Sequence, residues 1–383
     1  MKERYLDSWI SLSTITLLIV GIIMVYSSSA FYAEKVMGNH FYYLGKQLLW
    51  VLAGIGCAFL AYLLPLEKIK GKTAFLYFVA LSLLIILIFK RPARWLHIGF
   101  INVQGSDVAR FALTIFLADS LSRKKMFLKS FGEGVLPHMI YVGLFFLLIM
   151  FQPDLSSSVA VALIGVLMMA VSDIPKKYIL TPALFAIPVG ISVFWVSPYQ
   201  IKRISAFLNP ESDPLGYGYQ VIQSLISVGS GGILGKGFAQ SSQKLMFLPE
   251  AHTDFIFAII SEEWGLLGAL VVLTLFFILM WRGFQISYRA RDDFYSYLAF
   301  GLTMNIVVYS LINMAVVVNL CPPTGLPLPF ISYGGSSLIT NATMIGLLLN
   351  VAHRVQSEKI RNHGAFANRA RSNYMNRKLR YVQ

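Results

Sequence analysis

The stretch Ile10-Ser-Leu-Ser-Thr-Ile-Thr-Leu-Leu-Ile-Val-Gly-Ile-Ile-Met-Val-Tyr-Ser-Ser-Ser-Ala30 contains no charged residue. A bilayer core of roughly 30 Å takes about 20 apolar residues in helical form, so this run is long enough to cross it. Further along the chain, apolar stretches recur at Gln47–Leu64, Ala74–Phe89, Asp107–Leu121, Met139–Phe151, Ser156–Val171, Tyr178–Val196, Asp254–Met280, Tyr295–Val317 and Ser336–Ala352. Lipid offers no hydrogen bonds, so each stretch must satisfy its backbone internally as helix. The expectation is an all-α integral membrane protein of about ten transmembrane helices.

Composition agrees. Of the 383 residues 56% are hydrophobic and 13% charged, too apolar for an ordinary soluble enzyme. The formal charge of +14 would suit nucleic acid, but about two-thirds of the Lys and Arg residues fall on one and the same side of the predicted spans. They include Lys68, Lys70, Lys72, Arg123, Lys124, Lys125, Lys176, Lys177 and the tail from Arg354. With the N-terminus in the cytoplasm this is the positive-inside pattern, so basicity reports topology and no nucleic-acid partner is expected. An even number of spans returns the C-terminus to the cytoplasm, and the long loop Ser197–Thr253, between helices 7 and 8, falls outside. Residues 1–355 read as one membrane domain, and 356–383 as a disordered basic tail near an anionic leaflet. The short, charged start and the lack of a small-residue cleavage site predict that the first helix is retained. Cys57 and Cys321 are too few for a disulfide framework or a zinc cluster.

Chemistry must then come from helix ends and loops. The densest polar segment at a membrane edge is Phe247-Leu-Pro-Glu-Ala-His-Thr-Asp254, followed at once by the apolar run Phe255–Ile260. Asp254 or Thr253 could simply cap a helix. Against that, Glu250, His252 and Asp254 cluster, and Glu262 and Glu263 follow inside the same span, where carboxylates are functional candidates. Arg91, Arg94, Arg203, Lys236 and Lys244 are predicted on the same outer side, against the positive-inside trend. Snorkelling explains any one of them. Together with a glycine-rich loop they suit a phosphate-bearing ligand such as a lipid pyrophosphate. The segment Gly229–Gly237 is not a P-loop, because Ser230 and Gly237 stand where that motif needs Gly and Ser or Thr. Pro- and Gly-rich backbone at Gln152–Leu155 and Pro322–Ser337 is tolerated at membrane depth only when it is buried or lines a cavity, so the second reads as a wall of the site. Asp107 and Arg110, three residues apart, read as a structural ion pair.

Four segments carry a specific resemblance: Arg203-Ile-Ser-Ala-Phe-Leu-Asn-Pro210, Gly218-Tyr-Gln220, Leu248-Pro-Glu-Ala-His-Thr-Asp-Phe-Ile-Phe-Ala258 and Leu326-Pro-Leu-Pro-Phe-Ile-Ser-Tyr-Gly-Gly-Ser-Ser337. With Arg94-Trp95 and Gln152-Pro-Asp-Leu155, they make the chain resemble the SEDS family of peptidoglycan glycosyltransferases up to about Arg354. Two departures stand out: Gln104-Gly-Ser-Asp107 with Arg110 replaces the family's usual Gln-Pro-Ser-Glu and Lys, and Ser156 stands where Gly is usual. The wording around Lys244–Asp254 is more similar to division-type than to elongation-type members.

The resemblance implies polymerisation of lipid II into glycan strands at the outer face of the bacterial inner membrane, at the division septum. It implies Asp254 as general base on the 4-hydroxyl of the acceptor sugar, with undecaprenyl pyrophosphate leaving from the growing chain. Substrate-binding candidates are Arg94, Trp95, Asp154, Arg203, Lys236, Lys244, Glu250, His252, Thr253, Ser332 and Tyr333. No metal ligands are assigned, although a divalent cation (Mg²⁺ or Mn²⁺) would suit a pyrophosphate. Expected partners are lipid II, undecaprenyl-pyrophosphate-linked glycan, a class B penicillin-binding protein acting as transpeptidase, and other divisome proteins. The residues alone are compatible with two rivals, a flippase for the lipid-linked precursor and a scaffold without chemistry.

Overall fold

The computed structural model describes residues 6–90, 94–98, 101–178, 198–212 and 216–380. Each predicted span except the seventh coincides with a helix. The seventh lies, beyond Tyr178, outside the described residues, as do Arg91 and Pro214. In chain order the main helices are α1 (Ser8–Met37), α2 (Tyr42–Leu63), α3 (Thr73–Phe89), α4 (Gly105–Arg123), α5 (Leu136–Met150) and α6 (Leu155–Val171). After them come α7 (Pro198–Leu208), α8 (Tyr217–Gly231), α9 (Ile256–Arg289), α10 (Asp293–Val317) and α11 (Gly335–Arg380). Six of the described helical stretches are long and apolar enough to cross a membrane, and α3 and α6 are shorter apolar helices.

Two helices and a hairpin sit inside what reads as loop. The predicted outer loop contains α7 and α8, and before α4 lies an antiparallel hairpin, β1 (Trp95–Ile98) with β2 (Ile101–Gln104), pairing Trp95 with Gln104. The helix α11 continues through the basic tail to Arg380, where composition suggests disorder.

Interior helices follow from burial. In α10 the side chains from Phe294 to Ser310 are almost all shielded, and it packs against α4, α6, α9 and α11. The helix α4 carries Asp107, Arg110, Asp119 and Arg123, yet it is buried along nearly its whole length because these charges are paired. Arg110, 1% exposed, donates through Nε to Asp107 Oδ1 (3.1 Å) and through Nη1 to Asn341 Oδ1 (3.0 Å) and lies 4.2 Å from the Tyr309 ring centroid. Burying a guanidinium is tolerated only with such partners.

The helix α9 is broken. At Gly265 the backbone turns to φ 65°, ψ −163°, and the loop after α8 fills the break. Lys236 and Gly237 donate backbone N–H groups to the carbonyls of Glu262 and Glu263 (both 3.0 Å), and Leu266 donates to Gly232 O (2.9 Å). A Cβ at Gly265 would come 2.4 Å from Gly235 N, so only glycine admits this approach. The result is a short stub, 256–264, that carries the Asp254 loop at its N-terminal end.

Candidate functional site

The stub begins at Ile256 with Phe255 at the N-cap position and no side-chain cap. Asp254 therefore does not serve the helix as a cap. It faces a cleft of about 440 Å³ walled by Lys46 and Trp50 of α2, Arg94 and Trp95 at the hairpin, Arg203 of α7 and the 324–327 loop. A smaller recess of about 250 Å³ shares Arg203, Glu250, Asp254 and Gly325, and adds Tyr217 and Gln220 of α8.

Several contacts hold this loop in place. Asn313 of α10 donates through Nδ2 to both Asp254 O and Leu326 O (2.8 Å each), tying the two loops together. Ser332 Oγ donates to Thr253 O (2.6 Å) and accepts from Leu328 N–H (2.8 Å), while Tyr333 N–H donates to His252 O (3.0 Å). Gly325 has φ 73°, and a Cβ there would lie 3.4 Å from Asp254 Oδ2 and 4.0 Å from Arg203 Nη2. Its missing side chain keeps carboxylate and guanidinium open to the same space.

Electrostatics single out Asp254. Burial, reinforced by the Glu250 carboxylate and the more distant Asp154, raises its carboxyl from the ordinary value to about 7, although Arg203 pulls the other way. A carboxyl poised near neutrality is suited to taking a proton from a substrate hydroxyl. His252 is pushed below its usual value by burial, so at neutral pH it is an uncharged ring packed between Tyr32 (5.9 Å) and Tyr43 (4.6 Å).

The cleft brings together Arg94, Trp95, Asp154, Arg203, Glu250, Thr253, Asp254 and Tyr333. Arg94 donates through Nε to Gln152 O (3.3 Å) and through Nη2 to Pro153 O. Asp154 caps α6 by accepting from Ser157 N–H (3.3 Å), and it also accepts from Gln104 Nε2 (3.3 Å). Arg203 donates to Thr324 O (3.3 Å) and lies 5.1 Å from the Tyr217 ring centroid. Ser332 is buried behind the loop and acts through backbone, not on the cleft.

The structure separates Lys236 and Lys244 from this cleft. Lys236 Nζ lies 2.6 Å from Glu262, whose carboxylate also accepts from Ser241 Oγ (2.5 Å), Ser242 N–H (3.0 Å) and Ser227 Oγ (3.1 Å). Lys244 Nζ lies 2.8 Å from Glu263, which also accepts from Ser27 Oγ (2.7 Å) and Ala239 N–H (3.0 Å). The two carboxylates are neutralised where they stand, as burial requires. These four residues fasten the outer loop to α1 and α9. The cation that sequence reasoning passed over is Lys46, exposed at the cleft edge on α2, where only its charge beside a long apolar run marked it.

Known proteins share the sequence pattern and the fold. The profile of the cell cycle protein family FtsW/RodA/SpoVE matches residues 8–357. The chain belongs to this family. It is 36% identical to the probable peptidoglycan glycosyltransferase FtsW of Geobacter sulfurreducens (strain DL-1 / KN400) over 92% of this chain and 96% of that one. It is 38% identical to stage V sporulation protein E of Bacillus subtilis (strain 168), over 92% and 98%. Among solved structures, it superposes with TM-score 0.74 and 27% identity on a chain of a peptidoglycan synthase complex solved for its coordination of polymerization and crosslinking, covering 91% and 98%. The fold is also that of Thermus thermophilus rod shape determining protein RodA, with TM-score 0.67 over 91% and 97%.

Proposed function

We infer that this chain is a peptidoglycan glycosyltransferase, and that it polymerises lipid II into glycan strands at the outer face of the membrane. The observation that carries the reading is Asp254, uncapped, at the wall of a cation-lined cleft, with its carboxyl raised to about 7. Relatives similar over nearly their whole length bear the same activity in their names.

In this reading Asp254 takes the proton of the acceptor's 4-hydroxyl as that oxygen attacks the anomeric carbon of the growing chain. The bond from that carbon to the pyrophosphate breaks, and undecaprenyl pyrophosphate leaves. General-base help of this kind contributes about 10² to 10⁴ in rate. Arg94, Arg203 and Lys46 face the cleft and would offset charge developing on the departing pyrophosphate. A divalent cation, Mg²⁺ or Mn²⁺, would serve the same end. Among the described residues no group of three or more His, Cys, Asp or Glu side chains forms a cage, so Glu250 or Asp254 would hold the ion together with phosphate oxygens.

We further propose a role in septal division, with cytoplasmic termini, a class B penicillin-binding protein as crosslinking partner, and other divisome proteins around it. The likeness to FtsW chains supports the division role, and the likeness to a chain of a synthase complex supports the partner. The test is glycan synthesis from purified lipid II by the wild type and by Asp254→Asn, each purified with its transpeptidase. Polymer from the wild type and none from a folded Asp254→Asn protein is expected; polymer from both removes the general base, and polymer from neither favours a precursor flippase.

A further inference from the structure

A second cavity, of about 390 Å³, lies on the other side of the 248–252 segment from the Asp254 cleft. Its walls include Tyr32 at the end of α1, Tyr43 at the start of α2, His252 and Met246, and Glu250 borders both cavities. The size falls within the range of small-molecule sites. The chemistry of the two cavities differs. The cleft presents Arg94, Arg203 and Lys46, whereas among the described residues the one Lys or Arg on the second cavity, Lys244, is 8% exposed and held by Glu263. A pyrophosphate would find no available counter-charge in the second cavity. What it presents instead is aromatic rings with polar tips, a carboxylate and the Met246 thioether, the composition that suits an uncharged, many-hydroxyl ligand with apolar ring faces. The other large recesses, along α9 and α10 and around Trp9 and Trp281, are lined overwhelmingly by apolar carbon and suit lipid.

We propose that this cavity is a saccharide subsite that holds uncharged sugar units of the growing strand beside the Asp254 cleft. This rests on the polymerase reading above. Joining two lipid-linked saccharides requires both at once, and both bring a pyrophosphate; only the older strand also brings sugars remote from any phosphate. A grip on those sugars keeps the strand bound while the spent carrier leaves and the next precursor enters. The subsite therefore sets strand length through the rate of strand release, and the ring of Tyr32 is central to it.

The experiment measures glycan length distributions at equal lipid II conversion, using the full chain purified with its transpeptidase. Tyr32→Leu keeps an apolar side chain but removes the ring, and should shorten the mean strand about five-fold, the release change expected for loss of one aromatic contact. Tyr32→Phe, which keeps the ring, should restore long strands. Met246→Trp, placed at a position 46% exposed, narrows the cavity without touching the core and should also shorten the strands. Unchanged lengths in monodisperse Tyr32→Leu and Met246→Trp proteins would overturn the subsite while leaving the polymerase reading intact. No polymer from the wild type would overturn both.

Discussion

The acid limb of the pH–rate profile should move in opposite directions when the two charges beside Asp254 are removed. With the carboxyl at about 7, half of the molecules carry the base form at pH 7, about a tenth at pH 6 and about a hundredth at pH 5. Polymerisation should therefore fall about fivefold from pH 7 to pH 6 and about tenfold from pH 6 to pH 5. The Glu250 carboxylate raises the Asp254 value, so Glu250→Gln lowers it and the limb moves towards acid; the ordinary value of 3.8 is the far limit of that movement. At pH 6 the fraction in base form could rise by at most about tenfold. Arg203 lowers the value, so Arg203→Gln moves the limb towards alkali. Gln at position 250 keeps an acceptor for Thr253 Oγ1, which donates at 2.8 Å in the native protein, so the loop should retain its shape. The assay is initial rate from lipid II between pH 5 and 9, each variant normalised to its own plateau, which removes differences in binding. Superimposable limbs, or a Glu250→Gln limb that moves towards alkali, would refute Asp254 as the titrating base.

Two further outcomes follow from the contacts. Gly325→Ala places a β-carbon 3.4 Å from Asp254 Oδ2 at a backbone φ of 73°, which costs roughly 1–2 kcal/mol of backbone energy and should lower kcat more than it raises KM for lipid II, measured by steady-state kinetics. Glu263→Gln strands the buried Lys244 cation, a loss of roughly 3–5 kcal/mol, and should lower the Tm in detergent; the double change Glu263→Met with Lys244→Met should recover most of it, and equal Tm values for all three proteins would exclude the clamp.

Reading along the chain located the helices well because apolar length is a local property. Ile10–Ala30 lies within α1, Ala74–Phe89 within α3, and Ser336–Ala352 within α11. The segment Leu248–Asp254 was legible for a related reason, since its charges are concentrated just before an apolar run. The reading failed where partners are remote. Lys244 looked like an outer cation because nothing near it in sequence announces Glu263, and nothing at all announces Ser27, which lies 236 residues from Glu263 and bonds it. The break in α9 was equally hidden, because a lone glycine within an apolar span looks tolerable until a second loop is packed into it.

By itself the sequence determined which stretches enter lipid, since twenty apolar residues carry that preference wherever they occur, and which outer segment concentrates carboxylates. Tertiary structure alone decided which charges are spent and which are available. Desolvation and pairing depend on neighbours in space, so two buried glutamates were cancelled by two lysines, while Asp254, which caps no helix and is desolvated beside Glu250, kept a carboxyl poised near neutrality.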